Sequence, residues 1–231
     1  MKKLLFVALL VCGVSFAATA QEHNTLTKKE RKAGWQLLWN GRDLSGWKSN
    51  SSKGDMNKGW KVVDGQLVIM AGSGAGDIIT EKRYHDFELS IDFKITEGAN
   101  SGIKYFIGEN GSVGCEFQIL DDENHPDAKM GFNGNRRLGS LYDLIPADGW
   151  ALASKRDWNT ARIVVRGNHV EHWLNGVKIL EYEKNNDMWD TIVSHSKFAK
   201  VKNFAGGDGG HILLQDHNDE VHYRNLKIRE L

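Results

Sequence analysis

The stretch FELSIDFKI, residues 87–95, alternates without a break. Phe87, Leu89, Ile91, Phe93 and Ile95 share one phase, and Glu88, Ser90, Asp92 and Lys94 the other. Successive side chains of an extended chain point to opposite faces, so this pattern predicts a half-buried β-strand and not a helix. Outward from it, other short apolar runs are separated by turn dipeptides. WKVVDGQLVIM (60–70) carries Asp64-Gly65 between β-branched runs, and RIVVRGNHVEHWLNGVKIL (162–180) carries Gly167-Asn168 and Asn175-Gly176, which predicts a three-strand meander. SGIKYFIG, CEFQIL, HILLQ and VHYRNLKI add further strands, while helical periodicity is nearly absent after residue 20 apart from a turn at Thr27 to Lys32. Many short strands, 25 Gly and no helices predict an all-β fold, an antiparallel sandwich or jelly roll.

The 231 residues are 40% hydrophobic with eight Trp and only two Pro, which suits a globular core and excludes disordered and collagen-like architectures. Residues 1–20, MKKLLFVALLVCGVSFAATA, place Lys2 and Lys3 before an apolar run that ends in Ala18-Thr19-Ala20. That grammar predicts a secretory signal peptide cleaved after Ala20 and a periplasmic protein, the run being too short and wrongly flanked for a membrane span. Lipidation at Cys12 is disfavoured by the bulky Val11 before it. No repeat, low-complexity tract or charged linker divides residues 21–231, so one domain is expected there. Without residues 1–20 the chain has 28 basic and 30 acidic residues, a formal charge of −2, which argues against nucleic-acid or anionic-membrane partners. Cys115 is then the sole cysteine; no disulfide can form within the chain, and its place in an apolar alternation predicts a buried structural residue.

Fixing each strand's core phase shows what lies on its other face. Cys115, Phe117 and Ile119 leave Glu116 and Gln118 outside; Ile103, Tyr105 and Ile107 leave Gly102, Lys104 and Phe106; Ile212 and Leu214 leave Leu213, Gln215 and His217, with Asp216 pointing the other way. If these strands share a sheet, Lys104, Glu116, Gln118, Gln215 and His217 gather beside Phe106 and Leu213, a mixture suited to a sugar and also to an ordinary solvent-facing surface. HILLQDH and VHYRNLKI read as the two arms of a polar hairpin. In the second, Val221 and Tyr223 fall in one phase and Leu226 and Ile228 in the other, so a β-bulge is expected at Arg224-Asn225, with Arg224 either on the polar face or a buried paired charge. His172, between Val170 and Leu174, reads as a satisfied core histidine. His23, His85, His125, His169 and His195 show no ligand spacing, and His211, His217 and His222 give only a weak metal signal across the hairpin. Trp35, Trp39, Trp47 and Trp60 read mostly as core, with sugar-stacking platforms the alternative. The polar segments 49–59 and 184–210 read as rim loops, either ligand-gating or plain connections.

LLWNGRDLSGW (37–47), WKVVDGQLVI, YHDFELSIDFKI, NSGIKYFI, CEFQILDD, GSLYDLI, WN (158–159), HWLNGVKILEY and HILLQDH…VHYRNLKI together resemble the secreted bacterial 3-keto-disaccharide hydrolases, also described as 3-keto-glucoside 1,2-lyases and 3-keto-2-hydroxyglucal hydratases. The resemblance runs in order from about Gly34 to the C-terminus. It implies a concanavalin A-like jelly roll and a substrate already oxidised at C3 of a glucoside. Such chemistry needs a base for the C2 proton, an enolate stabiliser and a proton donor to the leaving C1 oxygen. Glu116 is the candidate base and His217, of the side-chain type that both gives and accepts a proton near neutrality, the candidate acid or shuttle. Lys104, Gln118, Gln215 and Arg224 are candidate substrate or enolate contacts, and Asn100, Asp121 and Tyr142 are further contacts implied by the family motifs. No cofactor is demanded; a divalent ion on some of Glu116, Asp121, Asp216 and His217 is compatible with the residue types. Glucanases of this fold place acids on alternate residues of one strand, where this chain has Glu116 and then Gln118. The alternatives are a conventional glycosidase of that type, with an acid such as Asp121 from elsewhere, and a non-catalytic carbohydrate-binding module.

Overall fold

The computed structural model describes residues 23–51, 54–108, 111–147 and 152–231. The signal peptide expected over residues 1–20, Cys12 included, lies outside them. Among these residues thirteen strands form two antiparallel sheets. Their ranges are β1 (Gln36–Leu37), β2 (Trp47–Ser49), β3 (Trp60–Val63), β4 (Gln66–Ile69), β5 (Ile78–Thr80), β6 (Phe87–Ile95) and β7 (Asn100–Ile107). They continue with β8 (Cys115–Leu120), β9 (Asn159–Arg166), β10 (His169–Leu174), β11 (Val177–Glu183), β12 (His211–Leu214) and β13 (Val221–Glu230). One sheet runs β11-β10-β9-β6-β13-β4-β3, with β1 also on β13; the other runs β2-β5-β12-β7-β8. This is the expected jelly-roll sandwich.

The local signals translate directly. All five apolar residues of β6 are buried. Asp64 and Gly65 both take positive φ in the two-residue turn joining Val63 to its partner Gln66, the backbone that Asp-Gly turns favour. Asn175-Gly176 does the same between Leu174 and Val177. The sheets close on Trp39, Trp47, Trp60, Phe87, Phe93, Tyr105, Phe117 and Tyr223, all at most 2% exposed. Each such side chain contributes about 1.5–3 kcal/mol by leaving water. Trp35 is only partly buried, with Arg229 over its ring. Polar groups inside the core are paired: Tyr223 Oη lies 2.7 Å from Ser101 Oγ across the sandwich. His172 Nδ1 donates to Gly139 O at 3.0 Å while its Nε2 lies 2.6 Å from Tyr105 Oη. Burial holds the imidazole neutral, pulling its pKa down to about 4, and pushes the Cys115 thiol up to about 12. Both are the structural residues their phases predict.

Four expectations need correction. First, β12 and β13 are not arms of a hairpin; they belong to different sheets, and residues 215–220 cross between them. The three histidines are separated accordingly: His211 is buried on Thr80 O, and His222 is held by Gln66 and Glu220. Second, Phe106 takes φ +59° in a register shift of β7 against β12, and this bulge turns its ring into the main core. Ile107 is thereby carried outward to pack with Ile79 and Leu213. Third, helices are not absent. Besides α1 (Lys28–Lys32), closed by a Thr27/Glu30 capping box where a turn was expected, there are α2 (Met56–Gly59) and α3 (Asp187–Ser194). Fourth, 184–210 is therefore no plain loop: Asn186 caps α3 by accepting from Trp189 N, and Trp189, Ile192 and Val193 face the core at helical spacing. The bulge in β13 is where the phase slip puts it, between Arg224 and Lys227, with Asn225 at φ +52°.

Candidate active site

The strands β12, β7 and β8 are neighbours, so the outer-facing residues of each meet. Register defines a row running Lys48, Ile79, Leu213, Lys104, Glu116 across all five strands. The next row places Gln215, whose N–H donates to Gly102 O, beside Gly102 and its partner Gln118. Above these rows lies a cavity of about 240 Å³, lined by Asn100, Lys104, Glu116, Gln118, Gln215 and His217 on the sheet side. Tyr142, Lys197, Phe198 and the Ser112–Gly114 segment close its rim. Of the residues expected to bind or react, the structure therefore brings together seven: Lys104, Glu116, Gln118, Gln215, His217, Asn100 and Tyr142.

Glu116 sits at the centre of this site. It is 6% exposed, with Lys104 Nζ 3.8 Å from Oε2. Burial raises its carboxyl above the ordinary value of 4.5, against the pull of Lys104 and Lys197. The Gln118 amide is satisfied when its nitrogen donates to Glu116 Oε1 at 3.3 Å and to Ser101 O at 3.0 Å. The carboxyl leans over Gly102, where any Cβ would lie 2.8 Å from Glu116 Cδ and closer still to Oε1. Glycine is what leaves this space open.

Two walls frame Glu116. On one, residues 139–142 extend the sheet: Gly139 N–H donates to Gln118 O and Tyr142 N–H to Glu116 O. Tyr142 Oη donates to Asp127 Oδ2 at 2.7 Å, and Arg136 bridges Asp127 and Asp143 at 3.0 and 2.6 Å. Burial, reinforced by the Asp127 hydrogen bond, pushes the Tyr142 phenol well up, so it stays protonated. On the other, His217 is half exposed, with Nδ1 3.9 Å from Asp219 Oδ2 and its ring edge-on to His125. Asp219 Oδ2 also accepts from Asn100 N at 3.0 Å, tying this loop to β7.

Two expected contacts lie elsewhere. Arg224 projects from the eight-stranded sheet, stacked 3.8 Å from the Trp158 ring centre with Asp92 3.6 Å away. It faces out on the opposite side of the sandwich, because β13 is not in the sheet that carries Glu116. Asp121 is spent in a turn, accepting from Gly98 N, Glu123 N and Asn124 N, and lines a separate cavity. Nor do the four groups considered for a divalent ion converge. Asp216 accepts from Gly76 N and Asn218 N, and the carboxyl nearest His217 is Asp219. His125, His217 and Asp219 do point their ligand atoms together. His125 Nδ1, however, accepts from Asp127 N at 3.1 Å, a bond that already uses the lone pair of that nitrogen.

Lys197 lines the cavity without a period-two signal, and Asp77, His125 and Asp219, outside its lining but near it, have none either. Asp77 precedes β5, accepts from Asp216 N at 2.9 Å, and has its carboxyl raised by burial. The helical spacing of Trp189, Ile192 and Val193 behind Asn186 is the one pattern that could have pointed to the segment delivering Lys197.

The geometry can be set beside known proteins. A curated relative from Bacteroides thetaiotaomicron, described as a 3-keto-disaccharide hydrolase, is 31% identical over 92% of this chain and 83% of its own length. A crystal structure of a candidate glycosyl hydrolase from Parabacteroides distasonis superposes with a TM-score of 0.81 at 32% identity, covering 91% of this chain and all of that one. A second from the same organism gives 0.67 at 25% identity over 85% of this chain and 99% of its own. With residues 34–229 matching the family model of the 3-keto-alpha-glucoside-1,2-lyase-like domain, the chain belongs to that family.

Proposed function

We propose that the protein cleaves 3-keto-glucosides, 3-keto-disaccharides among them, by removing the C2 proton and eliminating the C1 aglycone, with water then adding at C1 to give net hydrolysis. The observation that carries this reading is that Glu116 is the only carboxylate among the described residues lining the cavity, and that it is buried. A retaining glycosidase needs two carboxyls about 5–5.5 Å apart across the bond it breaks. A single base with a raised pKa suits instead a substrate whose own ketone acidifies the proton to be taken. Family membership and the description of the Bacteroides relative support the same substrate class.

In this mechanism Glu116 takes the C2 proton, the C2–H pair forms a C2–C3 double bond and the carbonyl pair moves onto the C3 oxygen. The enolate then collapses, restoring the C3 ketone, forming the C1–C2 double bond and breaking the bond to the C1 oxygen. His217, at the mouth, protonates the departing C1 oxygen, while Asn100, Gln118 and Gln215 bond ring hydroxyls. Water adds to C1 of the resulting 3-keto-2-hydroxyglucal with return of the C2 proton. The signal peptide expected over residues 1–20 would place this reaction in the periplasm.

Incubation with a 3-keto-disaccharide and with its unoxidised parent, in deuterated water, tests the proposal. Turnover of the keto sugar alone with deuterium at C2 is expected. Turnover of the parent alone would sink it, and saturable binding without turnover would favour a carbohydrate-binding module.

A further inference from the structure

The segment after β11 brings to the cavity a cation to which the mechanism above gives no role. Trp189 stacks on Tyr182 and on Phe204, with ring centres 5.3 and 5.9 Å apart, and Phe198 stacks on Phe204 at 4.4 Å. These rings clip the segment to the core. The Lys197 backbone is fixed as well, its N–H donating to Asp143 Oδ2 at 2.8 Å. Its side chain lines the cavity with Nζ 3.9 Å from the Tyr142 ring centre and 5.2 Å from that of Phe198.

The other cations at this site are matched: Lys104 faces Glu116 at 3.8 Å, and Arg136 bridges Asp127 and Asp143. Lys197 differs. Among the described residues no carboxylate lies within 4.0 Å of its Nζ, so its partners are aromatic faces and its N–H donors remain for a ligand. Burial lowers the Lys197 ammonium below the ordinary lysine value of 10.5, against the pull of Glu116 and Asp143, while the two ring quadrupoles favour the charge.

We propose that Lys197 is a catalytic residue whose ammonium binds the C3 oxygen of the keto sugar and stabilises the enolate. The inference rests on the function proposed above. When the C2–H bond breaks, the proton goes to Glu116 and the negative charge leaves that carboxylate for the C3 oxygen. Lys104, paired with the carboxylate beforehand, serves the base. The unpaired Lys197 serves the oxygen where charge develops.

The test measures kcat and KM on a 3-keto-disaccharide for the wild type, Lys197→Met, Lys197→Gln and Lys197→Arg, each shown by near-ultraviolet circular dichroism to be folded. Loss of a single oxyanion donor costs about 10²–10³ in kcat, so Lys197→Met should fall by that factor with KM changed only a few-fold, and Lys197→Arg should retain the largest share. Should the Met variant not fold, the same fall is expected of Lys197→Gln, which lacks the charge. An unimpaired kcat in the folded neutral variants, or a loss confined to KM, overturns the assignment. A borohydride-reduced sugar adduct on Lys197 also overturns it, by showing an imine instead of an ammonium. Wild-type protein inert towards the keto sugar overturns the function proposed above and this assignment with it, whereas wild-type turnover beside unimpaired variants removes Lys197 alone.

Discussion

Gly102 offers a clean separation of catalysis from folding. A Cβ at this position would lie 2.8 Å from Glu116 Cδ and 2.9 Å from Cγ. Carbon atoms in contact rest at about 3.5–4.0 Å, so Gly102→Ala obliges the carboxyl to retreat by about 1 Å. A displacement of that size at a reacting group costs about 10²-fold in rate. Stability should hardly change, because Gly102 has no left-handed backbone and alanine brings no backbone strain there. Alanine restricts the unfolded chain, a gain of about 0.4–1 kcal/mol, while pushing Glu116 off its rotamer costs about 0.5–1.5 kcal/mol. The two nearly cancel, and a net 1 kcal/mol would shift Tm by only about 2–4 °C in a domain of this size. Turnover of a 3-keto-disaccharide, measured beside thermal unfolding, should show a deep loss of rate with an almost unmoved Tm. A folded Gly102→Ala protein with wild-type rate would refute the idea that this glycine exists to house the Glu116 carboxyl.

Glu116→Gln should lower kcat by about 10²–10⁴, the usual contribution of a general base, while unfolding at an equal or higher temperature at pH 7, since it removes a desolvated charge. A base whose pKa is raised by burial must lose its proton before it can act, so the acid limb of the wild-type rate profile should lie above 4.5, the ordinary value for glutamate; a limb below that value would sink the role. His172 carries an opposite stability signature. Its folded pKa of about 4 lies below the unfolded 6.5, so the unfolded chain takes up the proton first and stability is lost as pH falls from 6.5 towards 4. At 1.36 kcal/mol per unit the loss is about 3 kcal/mol, read as the difference in pH dependence of urea unfolding between wild type and His172→Asn; equal pH dependence would contradict it. Arg224→Ala should leave kcat and KM within two-fold or so of wild type, because its guanidinium stacks on Trp158 across the sandwich from the cavity; a tenfold fall in kcat would show that the two faces communicate.

Arg224 also shows what a strand pattern can and cannot convey. Period two says whether a side chain faces the core or leaves it, which placed Glu116, Gln118 and Lys104 outward correctly. A sandwich, however, has two outward faces. Glu116 on β8 and Arg224 on β13 share the same sequence signature while pointing to opposite sides of the molecule, and only the pairing of distant strands distinguishes them. The same limit explains the misread hairpin, since the chain between Leu214 and Val221 is equally able to turn back or to cross. Phe106 escaped the pattern for a local reason: its positive φ reverses the alternation in mid-strand, and nothing in SGIKYFIG marks a phenylalanine for that conformation. Lys197 escaped because it reaches the cavity through an aromatic stack and not along a strand, so its position obeys no period. Asp121 looked available because its turn role depends on backbone donors at residues 98, 123 and 124 that composition does not reveal. Yet the site left one trace that alternation does expose. In the outward phase of β7, between Asn100 and Lys104, stands a residue with no side chain, and Gly102 is where the neighbouring strand lays its carboxyl. A missing side chain on an otherwise polar face marks the position of Glu116 as surely as the glutamate itself, and the two can be tested independently.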